Sequence, residues 1–154
     1  SDLQGVAADQ LQTIVQIIHR ANRVITLGNY HSGMSAQQMA FRLNRSGIDS
    51  HFMNDTSQME CYVSLIRSND VVFIFSLSGD PLYGSLVEQY VQRGASVILI
   101  TMSTRTTLAK LVTQTVVLPF LSHERCNYLL DDAITFFIFI EMIIEALHEE
   151  SSKQ

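Results

Sequence analysis

Residues 71–80 read VVFIFSLSGD, and this stretch decides the fold. Its first five residues are all β-branched or aromatic, with no polar residue between them. Such a run is typical of a strand that is buried on both faces, as in a parallel sheet. Parallel strands are joined by crossover connections, which are usually helical, so the stretch indicates an α/β protein.

The turn that follows this strand is rich in hydroxyl groups. Ser76 and Ser78 come first, and Gly79 then allows the backbone to turn sharply. Asp80 suits the N-cap of a helix, and Pro81 suits its first position. We therefore expect hydroxyls and free amides beside a helix N-terminus, where a phosphate can be stabilised without a lysine.

Helical and strand patterns alternate along the whole chain. Apolar spacing predicts a first helix over residues 3–20, an α/β core over 23–121 and a last helix over 126–149. Within the core, five runs predict strands at 23–27, 48–54, 71–75, 96–101 and 115–120. The alternation predicts a single domain over residues 1–154, with helices on both faces of a parallel sheet.

The second strand carries several polar residues, among them Asp49, His51 and Asn54, so we expect it at the edge of the sheet. This favours the strand order 2-1-3-4-5, a three-layer, doubly wound sheet of the flavodoxin-like type. Ligands of such sheets bind outside the carboxyl ends of the strands, at the switch point between strands one and three. The loops at residues 28–33 (GNYHSG) and 76–79 (SLSG) are predicted to meet there.

Each loop also has a purely structural interpretation. Ser32 could serve only as a helix N-cap, and Ser76 and Ser78 could be a strand end that happens to be polar. The hydroxyls of a third loop, residues 101–107 (TMSTRTT), could satisfy loop backbone. A dinucleotide site is disfavoured, because Tyr30 stands where GxGxxG requires its second glycine. Three hydroxyl-bearing loops at one sheet edge favour a polyol that carries a phosphate.

The composition narrows the possible partners. The net charge is −5 with two lysines, and no basic patch for nucleic acid is evident. Two cysteines without a CxxC motif predict a reduced, cytoplasmic setting without a disulfide framework. We expect no signal peptide, no membrane span, no metal site and no cofactor.

Three segments, in this order and spacing, resemble a known family. GNYHSGMSAQQMAFRLNRSGI (28–48), VVFIFSLSGD (71–80) and ILITMSTRTTLAKL (98–111) are similar to the sugar isomerase (SIS) domain. Over about residues 5–148 the chain most resembles the effector-binding domain of RpiR-type regulators of transcription, which respond to phosphosugars.

The resemblance implies a set of binding residues. It places the sugar phosphate's phosphate on Ser32, Ser76 and Ser78, within the turn made by Gly79. It assigns the sugar or the rim of the site to Asn29, Tyr30, His31, Thr101, Ser103, Thr106 and Glu124. The chain departs from the family at Tyr30 and His31, where small residues are common, and at Pro81, where a hydroxyl residue is common. The family's serine-arginine pair before the last helix is not evident near Asp131 and Asp132.

Two functions of different classes follow from the resemblance. The first is an effector-binding and dimerising domain that senses a sugar phosphate without turnover, with DNA bound only by a helix-turn-helix domain preceding Ser1. The second is a sugar-phosphate isomerase, for which His31, His123 and Glu124 are the candidate bases. A dimerisation module with a vacant site is a third possibility.

The last predicted helix bears on oligomeric state. It is apolar nearly all round, so it must be covered on more than one side. We predict a homodimer or a higher even oligomer, with burial under the first helix of the same chain as the alternative.

Overall fold

Five parallel strands form one sheet in the computed structural model, which describes residues 6–120 and 132–153. They are β1 (Arg23–Gly28), β2 (Ser50–Met53), β3 (Asp70–Phe75), β4 (Ser96–Thr101) and β5 (Gln114–Val117). Their order is β2-β1-β3-β4-β5, with every pair parallel, as the sequence predicted. All residues of the central strand β3 are buried, as its continuous apolar run indicated.

Five α-helices of the described residues lie against the sheet. They are α1 (Ala8–His19), α2 (His31–Arg45), α3 (Thr56–Cys61), α4 (Gly84–Gln92) and α5 (Ile134–Ser152). Short 3-10 helices occur at Tyr62–Leu65, Pro81–Tyr83 and Thr107–Lys110. Helix α4 therefore starts later than Pro81, where the sequence predicted its first position. The start of the predicted last helix at residue 126 lies outside the described residues.

The sheet separates two hydrophobic cores. One lies under α1, α2 and α5, where Phe75 of β3 meets Phe136 of α5 edge to face with ring centroids 5.2 Å apart. The other lies under α3 and α4, and it contains Met59, Tyr90 and Leu108. Helices thus cover both faces, which gives the predicted three layers.

Helix α5 is covered mainly by its own chain. Eight of its residues are buried, and its apolar side chains share a core with Ile14, Val15 and Ile18 of α1. Ile134 and Ile138 remain exposed. Burial within the same chain, the alternative weighed from the sequence, covers these eight residues, and α2 and β3 contribute to it as well as α1. The homodimer stays a prediction.

The register of the sheet positions the loops. Gly28, the last residue of β1, pairs with Phe75, the last residue of β3. The loops that begin at Asn29 and Ser76 therefore leave the sheet side by side. In the described part of the chain, no helix is long and apolar enough to span a bilayer. Residues 6–120 and 132–153 also contain no group of three or more His, Cys, Asp or Glu side chains suited to a metal ion.

Candidate functional site

A cavity of about 570 Å³ opens at the carboxyl ends of β1 and β3. Its lining includes five of the residues that the sequence assigned to the site: Asn29, Tyr30, Ser32, Ser76 and Ser78. The structure thus brings the three predicted phosphate-binding serines together from two different loops. Their assignment to a phosphate stays a prediction.

Gly28 allows the first of these loops to approach the sheet. A Cβ atom at this position would lie 2.4 Å from the backbone oxygen of Ser32, which no side chain can tolerate without a backbone shift. The missing side chain lets α2 begin directly above the end of β1. Ser32 is consequently held in the first turn of α2 at the cavity wall, and it is 8% exposed.

Tyr30 adopts a conformation that favours glycine. Its φ is 52° and its ψ is −122°, and the Ser32 amide donates to the Asn29 carbonyl oxygen at 3.0 Å. These values are those of the second residue of a type II′ turn, a position where glycine is preferred. The Tyr30 side chain is 96% exposed at the mouth of the cavity.

The serine loop after β3 is held together by its own hydrogen bonds. The Asp80 amide donates to Ser76 Oγ at 2.9 Å, and the Gly79 amide donates to the Ser76 carbonyl oxygen at 3.1 Å. Asp80 Oδ1 accepts from the Leu82 amide at 2.9 Å, which confirms the predicted capping role of Asp80. The expectation of free amides is therefore wrong for Gly79, Asp80 and Leu82.

The hydroxyl groups of this loop remain available as donors. Ser76 Oγ accepts from the Asp80 amide, so its own proton is left to donate to a ligand. Ser76 is 7% exposed, whereas Ser78 is exposed. A dianion bound here would be stabilised chiefly by hydroxyl protons, with buried Ser76 and Ser32 at its base and Ser78 at its accessible side.

The third loop supports the site without lining it. Thr106 Oγ1 donates to the Gly79 carbonyl oxygen at 2.6 Å and accepts from the Leu108 amide at 3.2 Å. Thr101 Oγ1 donates to the Leu77 carbonyl oxygen at 3.1 Å and accepts from the Ser103 amide at 3.2 Å. These hydroxyls serve loop backbone, which is the structural interpretation that the sequence had left open.

Five other predicted site residues lie outside the cavity lining. Ser103 Oγ accepts from the Arg105 amide at 3.2 Å within its own loop. Gly79 is buried beneath Thr106, and His31 is exposed at the first residue of α2. None of Gly79, His31, Thr101, Ser103 and Thr106 lines the cavity. Glu124, like His123, lies outside the described residues.

Sequence reasoning missed two parts of the lining. The chain that leaves β2 contributes Asn54 to Ser57, in which Asp55 caps α3 by accepting from the Ser57 amide at 2.7 Å. The 3-10 helix contributes Leu82 and Tyr83, and the Tyr83 hydroxyl accepts from Asn29 Nδ2 at 2.9 Å. The sequence did contain a signal for Asn54–Ser57, because the predicted second strand also ends at the carboxyl ends of the sheet, where the cavity lies.

The electrostatics of the cavity are unusual for an anion site. Its described lining carries the carboxylates of Asp55 and Asp80, and it has no lysine, arginine or histidine. Burial, with a smaller contribution from the Asp80 carboxylate, raises the pKa of Tyr83 to about 12. The phenol therefore stays protonated at neutral pH. Hydroxyl protons, not cationic side chains, are the positive ends of the dipoles that the described lining offers to an anion.

A family model for the SIS domain matches residues 17–146. The chain belongs to the SIS domain family. The serine-bearing loops described above lie within the matched region. A sequence search of curated proteins found no match.

Solved structures of SIS proteins share the fold. The chain superposes on the Vibrio vulnificus NanR protein complexed with ManNAc-6P with a TM-score of 0.84 at 20% identity, covering 96% of this chain and 56% of that one. The sugar isomerase domain of an RpiR transcription factor from Sphaerobacter thermophilus gives a TM-score of 0.83 at 15% identity, with coverages of 97% and 82%.

An archaeal protein of a different kind is also similar. MJ1247 from Methanococcus jannaschii, described as a hypothetical protein with an inferred 3-hexulose-6-phosphate isomerase function, has a TM-score of 0.75 at 18% identity, with coverages of 94% and 78%. Similar structures thus include a transcription factor and an inferred isomerase. At these identities the likeness shows the shared fold, and the chain spans little more than half of the V. vulnificus NanR protein.

Proposed function

We propose that this chain is a phosphosugar-binding effector and dimerisation domain of a transcription regulator. The observation that carries the proposal is the convergence of Ser32, Ser76 and Ser78 on one cavity at the switch point of the sheet. Similarity to a transcription factor and to the NanR protein in complex with ManNAc-6P supports this role and this class of ligand. DNA recognition belongs, in this proposal, to a separate helix-turn-helix domain of a cytoplasmic regulator.

Signal transfer in this proposal requires a dimer with two arrangements. The exposed Ile134 and Ile138 of α5 are the residues that we assign to contact between subunits. A ligand shifts the balance only if its affinity differs between the two arrangements. Sedimentation of the purified chain with and without ligand measures the oligomeric state directly.

A sugar-phosphate isomerase is the second candidate. Similarity to the M. jannaschii protein favours it, and an isomerase needs a positioned base to move a proton between adjacent carbons. The carboxylates of Asp55 and Asp80 line the cavity, but each accepts backbone hydrogen bonds as a cap. This use as structural acceptors favours binding over proton transfer.

One experiment separates the two functions. The purified chain is incubated with a panel of aldose, ketose and amino-sugar phosphates, and both thermal shift and chemical conversion are followed. Stabilisation by a phosphorylated sugar without conversion supports the sensor. Turnover within hours at micromolar protein supports the isomerase, and the absence of any thermal shift supports a dimerisation module with a vacant site.

A further inference from the structure

A second cavity of about 480 Å³ adjoins the serine cavity between α3 and α4. The two share the lining residues Asn29, Thr56, Asp80, Leu82 and Tyr83, so they lie side by side. Each has a volume within the range of about 300–1,000 Å³ that is typical of small-molecule sites. A ligand held by its phosphate at the serines would therefore lie next to the second cavity.

The border between the cavities is a polar contact that can bind a sugar hydroxyl. Asn29 Nδ2 donates to the Tyr83 hydroxyl at 2.9 Å, so the phenol proton remains for another acceptor. Tyr83 is buried and its pKa is raised to about 12, so it is a proton donor at neutral pH. Its burial fixes the direction in which the hydroxyl is presented.

The far end of the second cavity is polar as well. Glu60 of α3 faces the same space as Ser85 and Gln89 of α4. Gln89 Nε2 donates to the carbonyl oxygen and to Oγ of Ser85, both at 3.2 Å. Because the Gln89 side-chain nitrogen is used in this way, its side-chain carbonyl oxygen is left to accept from a ligand. The Glu60 carboxylate is a second acceptor at this end of the cavity.

The charge of this lining restricts what can enter. Glu60 and Asp80 are acidic, and the described residues of the two cavities include no lysine, arginine or histidine to offset them. Sugar hydroxyls and an ammonium group can donate to these carboxylates. A second anionic group would be repelled by them and would lose hydration without gaining a cationic partner.

We propose that the cavity between α3 and α4 receives the non-phosphorylated end of the sugar phosphate and selects against ligands that carry a second anionic group there. The inference rests on the proposed function, because it needs the phosphate at the serines. It assigns Glu60 and Tyr83 as residues that determine specificity.

The test uses two open-chain hexose derivatives that differ at one end only. Glucitol 6-phosphate ends in a hydroxymethyl group, and 6-phosphogluconate ends in a carboxylate. Calorimetric titration of the purified chain at low ionic strength is expected to give roughly tenfold weaker binding for the carboxylate, with a smaller ratio at high salt. Glu60→Gln should lower this ratio several-fold.

Glu88→Gln is the matched control, because Glu88 is exposed on α4 and lines neither cavity. It should leave the ratio unchanged. Equal affinity for both ligands, tighter binding of 6-phosphogluconate, or the same ratio in Glu60→Gln would overturn the inference while the proposed function stands. Binding of neither ligand, together with no response to any other sugar phosphate, would overturn both.

Discussion

The hydroxyl of Thr106 donates to the carbonyl oxygen of Gly79 at 2.6 Å and thereby ties the third loop to the serine loop. The same threonine fills the space above the glycine, since a Cβ on Gly79 would lie 2.5 Å from the Thr106 Cβ. The shape of the serine loop therefore depends on a residue that does not line the cavity.

Replacement of Thr106 by valine should weaken the site, although Thr106 does not line the cavity. The change keeps the shape of the side chain but removes its bonds to the Gly79 carbonyl and the Leu108 amide. We expect a loss of about 1–2 kcal/mol in the free energy of unfolding. Denaturant titration measures this loss, and affinity for a sugar phosphate should fall as well. Thr106→Ser should stay close to the original protein.

The control for this experiment is Thr104→Val, because Thr104 is exposed on the same loop. Equal effects of the valine at both positions would contradict the role assigned to Thr106.

Gly79→Ala tests the steric part of the same contact. Gly79 has a φ of 63° and meets Thr106, whereas Gly47 has a φ of 83° and would meet nothing within 4 Å. Both substitutions place alanine in the left-handed region, at a cost of about 1–2 kcal/mol. Only Gly79→Ala adds a clash, so it should lower the free energy of unfolding clearly further than Gly47→Ala. Similar losses of unfolding free energy in the two variants would show that the serine loop accommodates the added methyl group without cost.

The backbone conformation of Tyr30 should lower the free energy of unfolding of the chain. A residue other than glycine in this region costs about 1–3 kcal/mol, and Tyr30 has a φ of 52° and a ψ of −122°. Tyr30→Gly and Tyr30→Ala both remove the exposed ring, but only glycine removes the strain. We expect the glycine variant to be more stable than the alanine variant by about 1 kcal/mol in denaturant titration. The reverse order would rule out strain at this turn.

A buried carboxylate, Asp70 at the start of β3, lies at the end of the sheet opposite to the site. Asp70 is fully buried, where it accepts from the Arg67 amide at 2.8 Å and from the side chains of Arg23 and Asn22 at 3.2–3.3 Å. Asp70→Ala leaves Arg23 without its carboxylate and should cost about 3–5 kcal/mol in unfolding free energy. The exposed Asp49→Ala should cost less than about 1 kcal/mol. A loss of unfolding free energy in Asp70→Ala as small as that in Asp49→Ala would contradict the stabilising role assigned to the buried carboxylate.

The sequence predicted the sheet well because its strands are buried on both faces. β4 occupies Ser96–Thr101, the range that its apolar run indicated, and the polar residues of β2 correctly placed that strand at the edge. The helix that follows β2 was less predictable. The alternation of helical and strand patterns indicated one helix between β2 and β3, but the chain changes to a 3-10 helix at Tyr62–Leu65. Spacing does not distinguish these helices over so few residues.

The site was only partly predictable for a different reason. Parallel strand ends share one edge, so the meeting of Ser32 with Ser76 and Ser78 followed from the predicted strand order. The sequence did not reveal which hydroxyls turn toward backbone. Thr101 and Thr106 have the same side chain as a ligand-binding threonine would have, and only the structure shows their carbonyl partners. Similarly, the apolar surface of α5 indicated burial but not which chain supplies it.

The central claim is that hydroxyl protons of Ser32, Ser76 and Ser78 bind a sugar phosphate. Ser78→Ala tests it most directly, because Ser78 is exposed and its substitution should leave the fold intact. Ser64→Ala, exposed outside the cavity, is the matched control. In calorimetric titration with a panel of sugar monophosphates, the account predicts that at least one binds and that its dephosphorylated form does not. Ser78→Ala should weaken that binding about tenfold while Ser64→Ala leaves it unchanged. Binding that is indifferent to the phosphate group or to Ser78 would contradict the account.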